Sequence, residues 1–145
     1  MYRAIVARKV RANWQSIARH DATPVLEGLA PEFEYHFIGD HALGGVRRSH
    51  DAQRRWFERL FRLFPDIRFD VKDVIVSGWP WRTRAVVIAE ATLDSDPAYR
   101  NYLAQLVEIR WGKLTKVLMH EDSQLIASHL EQSELDEARA KPITD

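Results

Sequence analysis

Residues 102–130, YLAQLVEIRWGKLTKVLMHEDSQLIASHL, decide how the rest of the chain is read. Tyr102 begins a long strand, Trp111-Gly112-Lys113 is a tight turn, and Leu114 begins a second long strand that runs into a closing helix. Gly112 supplies the positive φ that a two-residue hairpin turn demands. The apolar run Leu114, Val117, Leu118, Met119 ends abruptly in His120-Glu121-Asp122-Ser123. Asp122 therefore stands where a strand stops and a helix starts. An aspartate there can cap the helix for purely structural reasons, or it can offer a carboxylate at a strand end. Both roles stay open on the sequence alone.

Upstream of this stretch lie two further strands, Ile67 to Ser77 and Arg82 to Leu93, joined by a turn at Gly78-Trp79-Pro80. Trp79 and Trp81 flank Pro80 at the strand entrance and read as packing or dimer contacts. Asp94-Ser95-Asp96-Pro97 reads as a connection. Before these strands, Ser49 caps an amphipathic helix with Asp51 in its first turn, which complements the helix dipole. Its buried stripe is Trp56, Phe57, Leu60, Phe61 and Phe64, and Pro65 stops it. Residues 39–45 form a loop on turn chemistry, and residues 32–37 alternate aromatic with polar as a strand does. Helix one spans residues 2–20 on the stripe Tyr2, Val6, Val10, Trp14, Ile17, although its basic start also has the character of a transit peptide. A short second helix or turn occupies residues 22–30, with Pro24 near its first position.

The chain is long enough, at 145 residues, for one domain with a real core. Lys+Arg and Asp+Glu both number 21, so the net charge is zero, and a dedicated nucleic-acid binder would carry a basic excess. The chain has no cysteine, which excludes thiol catalysis, disulfides and thiolate metal sites. No apolar run approaches the roughly 20 residues needed to cross a membrane. A cytoplasmic protein with no nucleic-acid or membrane partner is the expectation. Residues 1–133 form the single domain, and residues 134–145 form a charged, Pro-containing tail expected to be frayed.

The order helix, helix, strand, helix, four strands, helix implies an α+β fold with a curved antiparallel sheet. That order resembles the nuclear transport factor 2-like cone, and the sequence resembles its SnoaL-like branch, which includes polyketide cyclases. Three stretches carry the likeness: residues 36–71, residues 78–93 (GWPWRTRAVVIAEATL) and residues 110–130 (RWGKLTKVLMHEDSQLIASHL). The resemblance implies a cystatin-like cone whose helices pack on the concave side of the sheet around one apolar pocket. It implies a small hydrophobic ligand and no cofactor. His41, His50 and His120 match no metal-binding spacing, so no metal is expected. Apolar residues on both faces of the long strands, such as Leu103, Val107 and Ile109 against Ala104 and Leu106, point to a homodimer on the convex face of the sheet.

In similar cyclases and in limonene epoxide hydrolase, an aspartate at the end of the last strand is the base, and Asp122 is the matching position. The hydrolase's Arg-x-Asp pair corresponds to Ile88 and Glu90, so the arginine is missing and epoxide hydrolysis is not expected. The base position of ketosteroid isomerase corresponds to His36. If Asp122 points inward, then Leu118 and His120 follow it, and Ile88, Glu90 and His36 join them by the same resemblance. The implied catalytic set is Asp122, His36 and Glu90. The implied ligand wall is Trp56, Phe57, Phe61, Ile88, Gln105, Leu118 and His120. An apolar site of this kind raises carboxylate pKa values by desolvation, as general acid–base chemistry requires. Period-two alternation says which residues share a face, however, and not which face is inside. Glu90 could equally pair with an arginine on the convex face, and His36 could be a hydrogen-bonded core residue. The other readings are a non-catalytic binding module and a dimerising or partner-recruiting domain with a filled pocket.

Overall fold

The computed structural model describes residues 1–145. Its elements, in chain order, are α1 (Tyr2–Ala18), α2 (Thr23–Gly28), β1 (Leu29–Phe37), β2 (Gly45–Arg47), α3 (His50–Leu63), β3 (Ile67–Trp79), β4 (Arg82–Leu93), β5 (Asp96–Arg110), β6 (Lys113–His120) and α4 (Ser123–Glu131). One six-stranded, curved and unclosed sheet runs in the order β2-β1-β6-β5-β4-β3. The α+β class and the succession of strands follow the sequence reading. Trp111 and Gly112 both take positive φ, 50° and 79°, between the paired residues Arg110 and Lys113, as the tight hairpin requires.

Three details of the sheet differ from the expectation. Strand β5 begins at Asp96, inside the expected connection, and not at Tyr102. The sheet is not wholly antiparallel, because β1 lies parallel to β6, with Tyr35 beside Val117 and Phe37 beside Met119. Hairpin turns reveal only the pairing of successive strands, and β1 and β6 are far apart in sequence. Residues 45–47, at the end of the expected loop, add the short edge strand β2.

One side of the sheet is covered by helices. Phe33, Tyr35 and Phe37 of β1, Val87, Ala89 and Ala91 of β4, and Val117 and Met119 of β6 all face the same core as Trp14 of α1, Trp56 and Phe57 of α3, and Ile126 of α4. Helix α3 behaves as its sequence demands: the Ser49 hydroxyl accepts from Ala52 N–H, Asp51 occupies the first turn, and Trp56, Phe57 and Leu60 are buried. Burying such large side chains contributes roughly 1.5–3 kcal/mol each, so this stripe is a principal anchor of the core.

The segment from residue 134 is not frayed. A 3₁₀ turn, Asp136–Arg139, sets Glu137 against Arg59 and Arg62 of α3. Beyond it, Ile143 C=O accepts from Arg47, and the Asp145 side chain accepts from the N–H groups of Arg48 and Ser49. The charged composition that suggests fraying is used for ion pairs with the basic face of α3.

Candidate functional site

Between the sheet and the helices lies a cavity of about 100 Å³, with 21 hydrophobic residues among its 24 lining residues. Trp56, Phe57, Leu60 and Phe64 on α3 and just beyond it form one wall; Tyr35, Phe37, Val117 and Met119 form the opposite floor. Trp56 is fixed within an aromatic cluster with Tyr35, Phe37 and Phe57, at ring separations of 5.6, 5.3 and 5.1 Å, and its indole N–H donates to Leu43 C=O at 2.7 Å.

The few polar atoms on the lining differ in what they are free to do. Asn101 is committed to structure. Its Oδ1 accepts from Asp122 N–H at 2.8 Å, and its Nδ2 donates to Asp122 C=O and to the Tyr99 hydroxyl, both at 3.3 Å. The amide thus copies a strand pairing at the junction where β6 gives way to α4. Gln105, paired in register with Val87 and Met119, faces inward and keeps its amide out of the protein's own hydrogen bonds. Burial pushes the Tyr35 hydroxyl up to about 12, with the nearby Arg47 charge acting the other way, so the phenol stays a proton donor at neutral pH. Burial likewise raises Tyr99.

The residues expected to carry acid–base chemistry do not meet here. Asp122 is exposed, and its Oδ1 accepts from Leu125 N–H at 3.1 Å as the N-cap of α4, the structural role of the two that the sequence left open. Its neighbours' alternation does not extend to it, because the strand ends at His120. His36, Ile88, Glu90, Leu118 and His120 do share a face, as alternation requires, but it is the outer face. There His36 lies beside Leu118, Leu118 beside Leu106, and His120 beside Ala104. Glu90 pairs with Arg100 at 3.0 Å on that face. Of the expected ligand wall, Trp56, Phe57 and Gln105 line the cavity, whereas Ile88, Leu118 and His120 do not. Phe61 packs at the edge of the core, stacked on His20 with ring centroids 4.7 Å apart.

The sequence contained a signal for the correct face. On β1 the inward set is Phe33, Tyr35 and Phe37 and the outward set is Glu34 and His36, so counting aromatics alone orients the strand. Asn101 and Tyr99 were missed, and the amide at an inward position between Tyr99 and Leu103 was the available sign of them.

Two polar clusters are buried beside the cavity. The Arg47 guanidinium is fully buried against the Trp56 ring at 4.9 Å, with Nε on Gln53 Oε1 and its other nitrogens on carbonyls of Gly44, Gly45 and Ile143. Burial lowers its pKa to about 10. Behind Phe37, His41 and Glu121 approach at 3.8 Å, Leu43 N–H donates to His41 Nδ1, and Ser123 donates to Glu121. Gly39 at φ 138° is required there, since a Cβ would stand 2.3 Å from His41 Nε2. No three His, Asp or Glu side chains converge in a way that could hold a metal ion.

Residues 10–117 match the SnoaL-like domain family. The chain belongs to this family. Among curated proteins no relative matches. Solved structures with the same fold include an NTF2-like protein of unknown function from Burkholderia pseudomallei K96243, at 20% identity and a TM-score of 0.67, covering 83% of this chain and 93% of that one. TerC, co-crystallized with polyporic acid, shares 16% identity over 86% of this chain and 97% of its own, with a TM-score of 0.67. A putative polyketide cyclase from Sinorhizobium meliloti shares 16% identity over 78% and 94%, with a TM-score of 0.63. At these identities the likeness establishes the fold, an NTF2-like cone, and nothing finer.

Proposed function

We propose that this SnoaL-like chain is a small-molecule-binding protein whose cavity takes an apolar ligand of about one ring, bearing one or two hydrogen-bonding atoms. The observation that carries this reading is the cavity itself: nearly all its walls are hydrophobic, and the uncommitted Gln105 amide and the Tyr35 phenol line it. An apolar void of roughly 150 Å³ is known to hold benzene, so about 100 Å³ suits a single ring with little rearrangement. Gln105 offers both a donor and an acceptor, and Tyr35 a donor, which suits a ligand hydroxyl or carbonyl. No carboxylate or imidazole lines the cavity. The reading is therefore binding, and cofactor-free turnover has no base here. The fold shared with a putative polyketide cyclase and with TerC is in keeping with a ligand-holding cone.

Calorimetric titration of p-cresol and toluene, which differ by one hydroxyl, tests the proposal. Wild type is expected to bind p-cresol with Kd on the order of 0.1–1 mM and toluene several-fold more weakly, since −4 to −5.5 kcal/mol is what a buried ring with one satisfied hydroxyl can supply. Gln105→Leu should erase the preference while still binding toluene. No heat with either ligand, or an unchanged preference in the variant, overturns the reading.

The outer sheet face supports a second element of the proposal, a homodimer. Ile75, Val86, Leu106 and Leu118 form one row across the strands, with Ile75 and Leu106 exposed; Arg84, Glu108 and Lys116 flank it on one side, and Ile88 and Ala104 continue it on the other. A two-fold axis through such a row lays it against its own copy.

A further inference from the structure

The chain's zero net charge hides an uneven distribution. The β3–β4 turn and the β5–β6 turn lie side by side, joined where Trp111 N–H donates to Pro80 C=O at 2.7 Å. The first turn of α1 is brought to the same end by the Tyr2 hydroxyl bonded to Thr83 and by the Arg3 guanidinium, which lies 5.9 Å from the centroid of the Trp79 ring. Three indoles form a continuous ridge there: Trp79 stacks with Trp81 at 6.1 Å, and Trp81 meets Trp111 at 6.3 Å. They are 59, 56 and 73% exposed, far more than an indole filling a core would be. Arg3 lies over Trp79, Arg82 is paired in register with Trp79, and Arg110 and Lys113 bracket the Trp111 turn, while no acid occurs in residues 1–20, 78–84 or 110–116. Glu108 is paired in register with Lys116 and Arg84, and Glu27 offers its backbone carbonyl to Lys113.

We propose that this tryptophan tip is a docking surface for an anionic phospholipid bilayer. Indoles favour the boundary between headgroup and acyl chain, where an apolar ring and a polar N–H are both satisfied. The surrounding cations complement a negatively charged lipid surface. The shape fits this partner better than a nucleic acid, since the tip is a convex meeting of two turns and a helix start. Trp79 already carries Arg3 over its ring and Trp81 stacked beside it, which reduces the free ring surface that base stacking needs. No helix is long and apolar enough to cross a membrane. Surface contact needs none, and the expectation of no membrane partner rested on spanning length alone.

The test uses the intact chain with two sets of vesicles, phosphatidylcholine alone and phosphatidylcholine with roughly 30% phosphatidylglycerol, in low and high salt. Co-sedimentation is expected to favour the anionic vesicles by about tenfold or more, to fall in high salt, and to be accompanied by a blue shift of tryptophan emission. Two variants separate the contributions. The pair Trp81→Ser with Trp111→Asn removes exposed rings, and Asn suits the positive φ at 111. The triple variant Arg82→Gln, Arg110→Gln, Lys113→Gln removes charge from the same exposed turns. Both should keep the circular dichroism of the parent and lose most of the anionic binding. Equal recovery with both lipids, no recovery with either, or undiminished binding by the ring variant overturns the proposal. So does tighter binding to a labelled oligothymidine than to the anionic vesicles.

Discussion

Replacing Trp56 with alanine perturbs the cavity wall at its most constrained point. The indole is 2% exposed, touches three other rings, covers the buried Arg47 guanidinium and donates to Leu43 C=O. Truncating a buried tryptophan costs roughly 3–5 kcal/mol for lost transfer energy and the void left behind. The orphaned Leu43 carbonyl adds about 1–3 kcal/mol. These terms overlap, so a loss of at least about 4 kcal/mol is the expectation, a large part of the roughly 5–15 kcal/mol that holds a typical domain. At about 2.1 cal/mol/K per residue, 145 residues lose stability at about 0.3 kcal/mol per degree near Tm. The melting temperature should therefore fall by about 13 °C. Trp56→Phe retains most of the volume and loses the hydrogen bond, so it should cost about 1–2 kcal/mol. Urea denaturation followed by circular dichroism, with melting curves alongside, measures both variants. A fall of under about 3 °C in the alanine variant would show that α3 does not brace the cavity as described.

The remaining expectations are narrower. Asp122→Asn should leave stability nearly unchanged and Asp122→Ala should cost about 1 kcal/mol in urea denaturation, because the side chain caps α4; losses of several kcal/mol in both would contradict the capping role. Asn101→Leu should cost about 2–4 kcal/mol and speed hydrogen exchange at the Asp122 amide, whose partner it removes; an unchanged exchange rate would refute the junction role. Light scattering across micromolar concentrations should give twice the monomer mass. Leu106→Arg should shift it towards monomer; a monomeric parent would remove the outer-face pairing.

The fold was legible where local chemistry decides. Gly112 fixed the hairpin, Ser49 and Pro65 bounded α3, and the Trp56–Phe57–Leu60 stripe pointed it at the core. The parallel contact between β1 and β6 was not legible, since no local turn encodes it. The site was legible only in part, because alternation groups residues by face without saying which face the helices cover. Assigning Asp122 inward by resemblance carried His36, Glu90, Leu118 and His120 with it to the wrong side. Three of the inward positions of β4 are alanines, Ala85, Ala89 and Ala91, of which Ala91 lines the cavity, and such small residues look unremarkable in sequence. The order of residues 134–145 was hidden because its partners, Arg47, Arg59 and Arg62, become neighbours only once α3 is packed.

The central claim is that the cavity between Trp56, Tyr35 and Val117 admits a small ring held by Gln105. A crystal structure of the protein soaked in p-bromophenol, read from the bromine anomalous signal, tests it most directly. The account predicts one dominant bromine peak inside the cavity, with the phenol oxygen within about 3 Å of the Gln105 amide. Bromine found only on the surface, with Phe57 or Met119 side chains filling the space instead, would contradict it.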